Sequence, residues 1–502
     1  MKRQLQLTLL IIGALVLLYF LQNWQRWIYE TLNVGLSLSV VFIGIVIFLE
    51  NRQPSKTITW LMVLAIFPVV GFIVYIIFGK SYRKKRLFRK RAFLNEMTYA
   101  EASPTSQLDH EKLALMGEDQ SRTLKLAQRL TPFPISFGTE TKILTNGEAT
   151  FKEIMDAIEK AEHHIHMEYY IVRHDELGTK IKDLLVKKAK QGIEIRFMFD
   201  AVGSWRLSRH YVEELKEAGA EVVSFFPVKV PLLNHKINFR NHRKIVVIDG
   251  KIGFIGGLNI GDEYLGKHPS FGFWRDTHLY VRGEAVESLQ TIFLQDWYHM
   301  TGTVLTDPIY FKAEPAIGKN FGAVQMIASS PDDEWEVIKS LFFSMIVSAK
   351  RSIWIASPYL IPDDDILSAL KVAALSGIDV KLLVPNRPDK RIVFYASHSY
   401  FPELLEAGVN IYDYKAGFLH SKVIIVDHEF ASIGTANMDM RSFHLNFEVN
   451  AFLYRTESTV QLVADYIKDL ESATPIVLDV FRKRPIITRV VESTSRLLSP
   501  LL

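Results

Sequence analysis

The sequence predicts an α/β protein built from two copies of one unit and preceded by an apolar helical region. Three observations carry this. The phrase HRKIVVIDGKIGFIGGLN at 242–259 returns as HSKVIIVDHEFASIGTAN at 420–437, with His, Lys, Asp, Gly and Asn at identical offsets. After residue 135, strand and helix patterns alternate in the same order around both phrases. Before it, three long apolar runs carry no charged residue.

Those runs are Leu5–Leu21, Leu32–Leu49 and Ile58–Phe78, of 17, 18 and 21 residues. The last two are long enough to cross a bilayer and, with only Glu50–Thr57 between them, predict a tight transmembrane hairpin. The first begins like a signal peptide (Lys2, Arg3, then an apolar core), but the following QNWQRW offers no small-residue cleavage site, so it is expected to stay. Trp24, Trp27, Tyr29 and Trp60 stand at run ends, where aromatic rings favour headgroups.

Segment Lys80–Arg91 holds eight basic residues and no acid. It predicts a cytoplasmic flank, hence a cytoplasmic body after it in a multi-pass cell-membrane protein, and a contact for anionic lipid headgroups. The rest of the chain is mildly acidic, which argues against nucleic acid as a partner. With no cysteine, disulfides, thiol nucleophiles and thiolate metal sites are excluded. The expected division is 1–79 membrane region, 80–135 basic segment and linker, 136–310 first unit, 311–484 second unit, and 485–502 a possible amphipathic tail.

Within the first unit, 163–172 reads as a strand, 177–192 as an amphipathic helix stopped by Gly192, 193–200 as a strand, and 211–225 as helix, Gly and strand. Residues 244–257 read as two strands around an Asp-Gly turn. The second unit repeats this with a strand at 351–362, a helix at 366–377, a strand at 378–385, helix, Gly and strand at 402–414, and two strands at 422–434. The first copy carries about eleven extra residues before its His. Alternating strands and helices imply a largely buried sheet.

His242 and Lys244, like His420 and Lys422, are two apart at a strand start and so share a face. Asn259 and Asn437 follow the Gly turn and can return beside them. An imidazole, an ammonium and an amide together suit a phosphate oxyanion. Two such sets facing each other supply a nucleophile on one side of phosphorus and an acid on the other, as in-line displacement requires. His164, His166 and Glu168 alternate like metal ligands. Their second-copy counterparts Ser352, Trp354 and Ala356 carry no ligand groups, so a polar strand face is the simpler reading.

The doubled HxKxxxxD with its Gly turn and Asn resembles the phospholipase D superfamily. The continuations NIGDEYLG, FGFWRDTHL and NMDMRSFHLNFEVNAF, with the N-terminal hairpin and basic run, make nearly the whole chain similar to the bacterial cardiolipin synthases of that superfamily. The resemblance implies two phospholipase D-like domains, each a mixed sheet flanked by helices, sharing one active site. It implies phosphatidyl transfer between two phosphatidylglycerol molecules, donor and acceptor, giving cardiolipin and glycerol through a phosphatidyl-histidine, with no cofactor or metal. His242 is then the nucleophile and His420 the acid/base; Lys244, Lys422, Asn259 and Asn437 hold phosphate oxygens; Asp276 and Glu448 orient the histidines. Asp249 and Asp427 belong to the signature but are expected to pair away from phosphorus. Ser442 is either a further donor near Glu448 or an ordinary turn serine. Hydrolysis of phospholipids, or transfer with another donor or acceptor, uses the same residues and stays open.

Overall fold

In the computed structural model of this chain, the described residues are 118–227, 238–316, 322–333 and 335–501, with helix Pro54–Ile66 and isolated positions between 12 and 71. The chain divides into two units, 1–84 with 232–235, and the remainder.

In the first unit, helix Pro54–Ile66 covers the start of the third apolar run. It begins four residues earlier than the run, because proline's fixed φ suits the first helical position. Most of the run 5–21, most of 32–49, the end of 58–78, the basic segment Lys80–Arg91 and much of the insertion before His242 lie outside the described residues. Among the described residues no helix is long and apolar enough to cross a membrane.

The second unit holds two sheets of one topology. The first runs Thr139–Thr145, Thr277–Gly283, Ile252–Gly256, Ile245–Ile248, His164–Tyr169, Glu194–Asp200, Glu221–Phe225. The second runs Ala323–Ser329, Asn446–Tyr454, Phe430–Gly434, Val423–Val426, Ser352–Ala356, Asp379–Pro385, Asn410–Tyr414, with Ala473–Pro475 added at the edge. In each, the three strands linked by helices are parallel and the others antiparallel, so both sheets are mixed. The predicted helices form at Glu176–Lys190, Arg209–Glu217, Asp364–Leu375 and Phe401–Glu406. Gly192 and Gly377 follow the first and third of these at φ +89°, a conformation that a side chain disfavours. The strand expected over 351–362 is broken: it ends at Ala356, and Leu360–Ile361 pairs separately with Met438–Asp439.

Alternation along the central strands builds the core. Ile245 and Val247 join Val423 and Ile425 in one apolar cluster shared by the two repeats. Val246 and Ile248 face the first repeat's helices, and Ile424 and Val426 face the second's. The shared cluster, with Phe293, Trp297 and Phe447 all nearly inaccessible, locks the repeats together.

Candidate active site

Two short parallel ladders cross between the repeats. Arg240–Asn241 of the first pairs with Asn446–Phe447 of the second, and Trp274–Arg275 of the first pairs with Phe418–Leu419 of the second. Each ladder delivers a histidine. The His242 amide donates to the Phe447 carbonyl (2.9 Å), and the His420 amide to the Arg275 carbonyl (2.7 Å). The next residue on each opposing strand is a carboxylate. His242 Nδ1 therefore lies 3.0 Å from both oxygens of Glu448, and His420 Nδ1 lies 2.7 Å from Asp276 Oδ2. Each histidine is oriented by the other repeat.

The carboxylates occupy equivalent sheet positions, because Gly256 pairs with His278 and Gly434 with Asn450. Their surroundings differ at two matching positions, Gly257 against Thr435 and Trp274 against Asn446. A Cβ at Gly257 would meet Asp276 Oδ1 at 2.1 Å, so glycine is required there. Thr435 stands at the matching place in the second phrase and donates its hydroxyl to Glu448 Oε2 (2.5 Å), while Asn446 Nδ2 donates to Oε1 (3.0 Å). Asp276 instead accepts from the Thr277 amide (2.8 Å) and from Trp274 Nε1 (3.4 Å).

The lysines complete the set. Lys244 Nζ and Lys422 Nζ each donate to the carbonyl of the histidine two residues earlier (2.6 Å), and Lys422 Nζ also lies 2.9 Å from His420 Nδ1. Burial lowers the Lys244 ammonium to about 7, opposed by Glu448 and reinforced by repulsion from Lys422. Burial lowers Lys422 to about 8 against the attraction of Asp276 and Glu448. Burial likewise pushes His242 down to about 3, opposed by Glu448 and helped by both lysines, and His420 down to about 4, helped by Lys422 and opposed by Asp276. Burial alone would raise the carboxyls. The Nδ1–H bond of His242 and the Lys244 charge hold Glu448 at about 2 instead, and the Lys422 charge with the Nδ1–H bond of His420 holds Asp276 below its usual range. With each Nδ1 against a carboxylate, the neutral imidazoles present Nε2 lone pairs.

Two aromatic residues to which the sequence pattern assigns no role line this centre. The Tyr170 ring meets the His242 ring edge-on at 4.9 Å, and Lys244 Nζ sits 5.4 Å from the Tyr170 centroid. The Trp274 ring lies 5.0 Å from His420. Trp274 belongs to the FGFWRDTHL motif; Tyr170 lies 72 residues from its histidine and carries no local signal.

Asp249 and Asp427 serve elsewhere, at the far ends of the central strands. Asp249 accepts from the amides of Glu162, His163 and His164 (2.8–3.0 Å), and Asp427 from those of Lys350, Arg351 and Ser352 (2.6–3.2 Å). Both sit at φ +54° and tie the start of the first parallel strand to the central hairpin. In this arrangement both act as fold clamps. Asp249→Ala is expected to cost about 2–4 kcal/mol by stranding three amides. The check is a lowered Tm with kcat unchanged for molecules that remain folded.

Asn259 is engaged in the fold: Oδ1 accepts from the Ile171 amide (3.0 Å) and Nδ2 donates to the Tyr264 hydroxyl (3.3 Å), leaving one N–H. Asn437 is buried, and its Oδ1 has no hydrogen bond among the described residues. Ser442 is the turn serine, its Oγ accepting from the Asn437 amide (3.1 Å). His166 stacks on Phe293 at 4.6 Å and pairs with Gln290 (2.8 Å), within the polar interior of the first sheet.

Residues 154–297 and 342–472 match the family model described as "Cardiolipin synthase, PLD-like domain", and 37–80 match "Phospholipase_D-nuclease N-terminal". The chain is 63% identical over 478 residues to a cardiolipin synthase of Alkalihalophilus pseudofirmus, covering 95% of each chain. It is 61% identical over 503 residues to one from Halalkalibacterium halodurans, covering both fully. Among solved structures, the phosphatidylserine synthase of Haemophilus influenzae Rd KW20 superposes with TM-score 0.59 at 14% identity, over 76% of this chain and all of that one, a likeness of fold.

Proposed function

The chain belongs to the bacterial cardiolipin synthases of the phospholipase D superfamily, a phosphatidyltransferase family, and on that premise we propose how its residues carry out the transfer. The observation that supports the mechanism best is the crossed pairing of His242 with Glu448 and His420 with Asp276 about two buried lysines.

Phosphatidylglycerol enters with its phosphate against Lys244 and Lys422, the remaining Asn259 N–H and the Asn437 amide. Its negative charge offsets the two ammonium groups and raises both imidazole pKa values. His242 Nε2 attacks phosphorus in line; the bond to the glycerol oxygen breaks, and His420 gives that oxygen a proton. Glycerol leaves and a phosphatidyl-histidine remains. The primary hydroxyl of a second phosphatidylglycerol then gives its proton to His420 and attacks phosphorus. The P–N bond breaks, releasing cardiolipin and neutral His242. One phosphodiester replaces another, so no nucleotide is consumed. The order of the two histidines follows the resemblance; burial lowers both imidazoles alike, opposed in each by the carboxylate at Nδ1.

The lysines predict the alkaline limb. As free enzyme loses protons from Lys244 and Lys422 at about 7 and about 8, kcat/KM should fall. Unfolded lysine titrates near about 10.4, so between these values the unfolded chain binds more protons and stability rises with pH. Activity should thus disappear above about pH 8 while thermal melting shifts upward; parallel loss of both would contradict the assignment.

The reading extends to the membrane: a multi-pass N-terminal region with a cytoplasmic catalytic body and anionic headgroups at Lys80–Arg91, the repeats taken as 136–310 and 311–484. The deciding experiment incubates purified protein in phosphatidylglycerol bilayers with EDTA. Equimolar cardiolipin and glycerol are expected. Phosphatidic acid with glycerol would make water the acceptor, and no turnover would remove the metal-free mechanism.

A further inference from the structure

The helix Ile486–Leu497 is amphipathic and lies on the protein the opposite way round from a globular surface helix. Its polar side faces inward. Glu492 and Ser495 are buried; Glu492 pairs with Arg484 (2.6 Å), and Arg496 pairs with Glu403 (2.8 Å) and stacks over Tyr400 at 4.1 Å. Just beyond the helix, Ser499 is buried and bonded to Tyr400 (3.0 Å). These contacts seat the segment against helix Arg391–His398 and its surroundings and fix its rotation.

The opposite side is apolar and uncovered. Ile486, Val490 and Leu497 are 75%, 60% and 81% exposed, and Ile487 is 75% exposed. Their spacing places them on one stripe along the helix. Arg489 borders that stripe, is exposed, and has no acidic partner among the described residues. An apolar stripe held outward by ion pairs, with an unneutralised cation at its margin, suits the boundary between acyl chains and anionic headgroups.

We propose that this helix lies in the interface of an anionic phospholipid bilayer and docks the catalytic body on the membrane that supplies its substrate. The proposal rests on the lipid-transferase reading for its choice of occupant. Aliphatic side chains enter the acyl boundary, and Arg489 meets lipid phosphate. The inward ion pairs make the rest of the unit the helix's rigid mount.

The chain contains no cysteine, so single labels are clean. Full-length protein carrying Val490→Cys, labelled with an environment-sensitive fluorophore, is reconstituted into phosphatidylglycerol vesicles containing shallow spin-labelled lipid. A Glu457→Cys label on the exposed start of another helix is the reference. Quenching at 490 well beyond that at 457 is expected. Equal quenching at both positions overturns the proposal. So does a disulfide-linked dimer of the unlabelled Val490→Cys protein together with no quenching of the labelled one, which would put a second copy on this face. Ile487→Asp with Val490→Asp should lower kcat/KM on vesicles roughly tenfold while leaving turnover of dispersed short-chain phosphatidylglycerol unchanged; unchanged vesicle kinetics would also overturn it. Quenching is read without turnover, so a failure of membrane docking and a failure of the transferase mechanism are distinguishable.

Discussion

Replacing His242 by alanine is expected to lower turnover of phosphatidylglycerol at least about 10⁴-fold, and His420→Ala by a similar factor, because each removes a group that forms or breaks a bond at phosphorus. Overall rates alone do not separate the roles; a donor with an activated leaving group does. Phosphatidyl-p-nitrophenol expels nitrophenolate, which needs no proton. The His420→Ala variant should therefore release one equivalent in a burst and then stall, since nothing deprotonates the next alcohol. His242→Ala should give no burst. The reverse pattern would exchange the two histidines. Both rings are held with Nδ1 against a carboxylate and Nε2 free to act, so the burst experiment, not the geometry, separates the roles.

Glu448→Gln and Asp276→Asn should each cost roughly 10³-fold, since an amide no longer stabilises the imidazolium and favours the wrong tautomer. Both carboxylates are fully buried, so the amides leave the size of each site unchanged. The crossed geometry makes the stages differ. With the activated donor, Glu448→Gln should slow the burst itself, because its partner is the nucleophile. Asp276→Asn should leave the burst fast and slow only the subsequent transfer. With His242 already identified as the nucleophile by the alanine variants, a burst slowed by Asp276→Asn and not by Glu448→Gln would mean that each carboxylate serves the histidine of its own repeat. That result would contradict the 2.7 Å contact between His420 and Asp276.

The internal repeat makes most of the architecture legible. Central strands, glycine stops and helices fall where the alternation places them, because periods of two and 3.6 are local consequences of backbone geometry. The edge strands Thr139–Thr145 and Ala323–Ser329 stand outside that alternation, and so does the helix Ala285–Thr301, whose buried residues include Ser288, Gln290, Thr291 and Asp296 and so blur the apolar period. The tail shows the opposite limit. Its amphipathic spacing is visible in the chain, but which side faces the protein depends on Arg484, Glu403 and Tyr400, none within the helix.

The chemistry of the centre is already written in the linear chain. Two His-Lys pairs and two Asn at matching offsets suit a phosphate oxyanion, because each side chain brings its own charge and donors, and the resemblance to the phospholipase D superfamily adds Asp276 and Glu448. Which carboxylate serves which histidine is settled by folding alone. The offsets that place Asp276 34 residues after His242, and Glu448 28 after His420, suggest partners within a repeat. The two crossing ladders overrule them, since a backbone bond from His242 to Phe447 brings Glu448 beside the imidazole whatever the distance along the chain. The same packing keeps Asp249 and Asp427 out of the site: a strand advances about 3.3 Å per residue, so five positions from the lysine is the other end of the sheet.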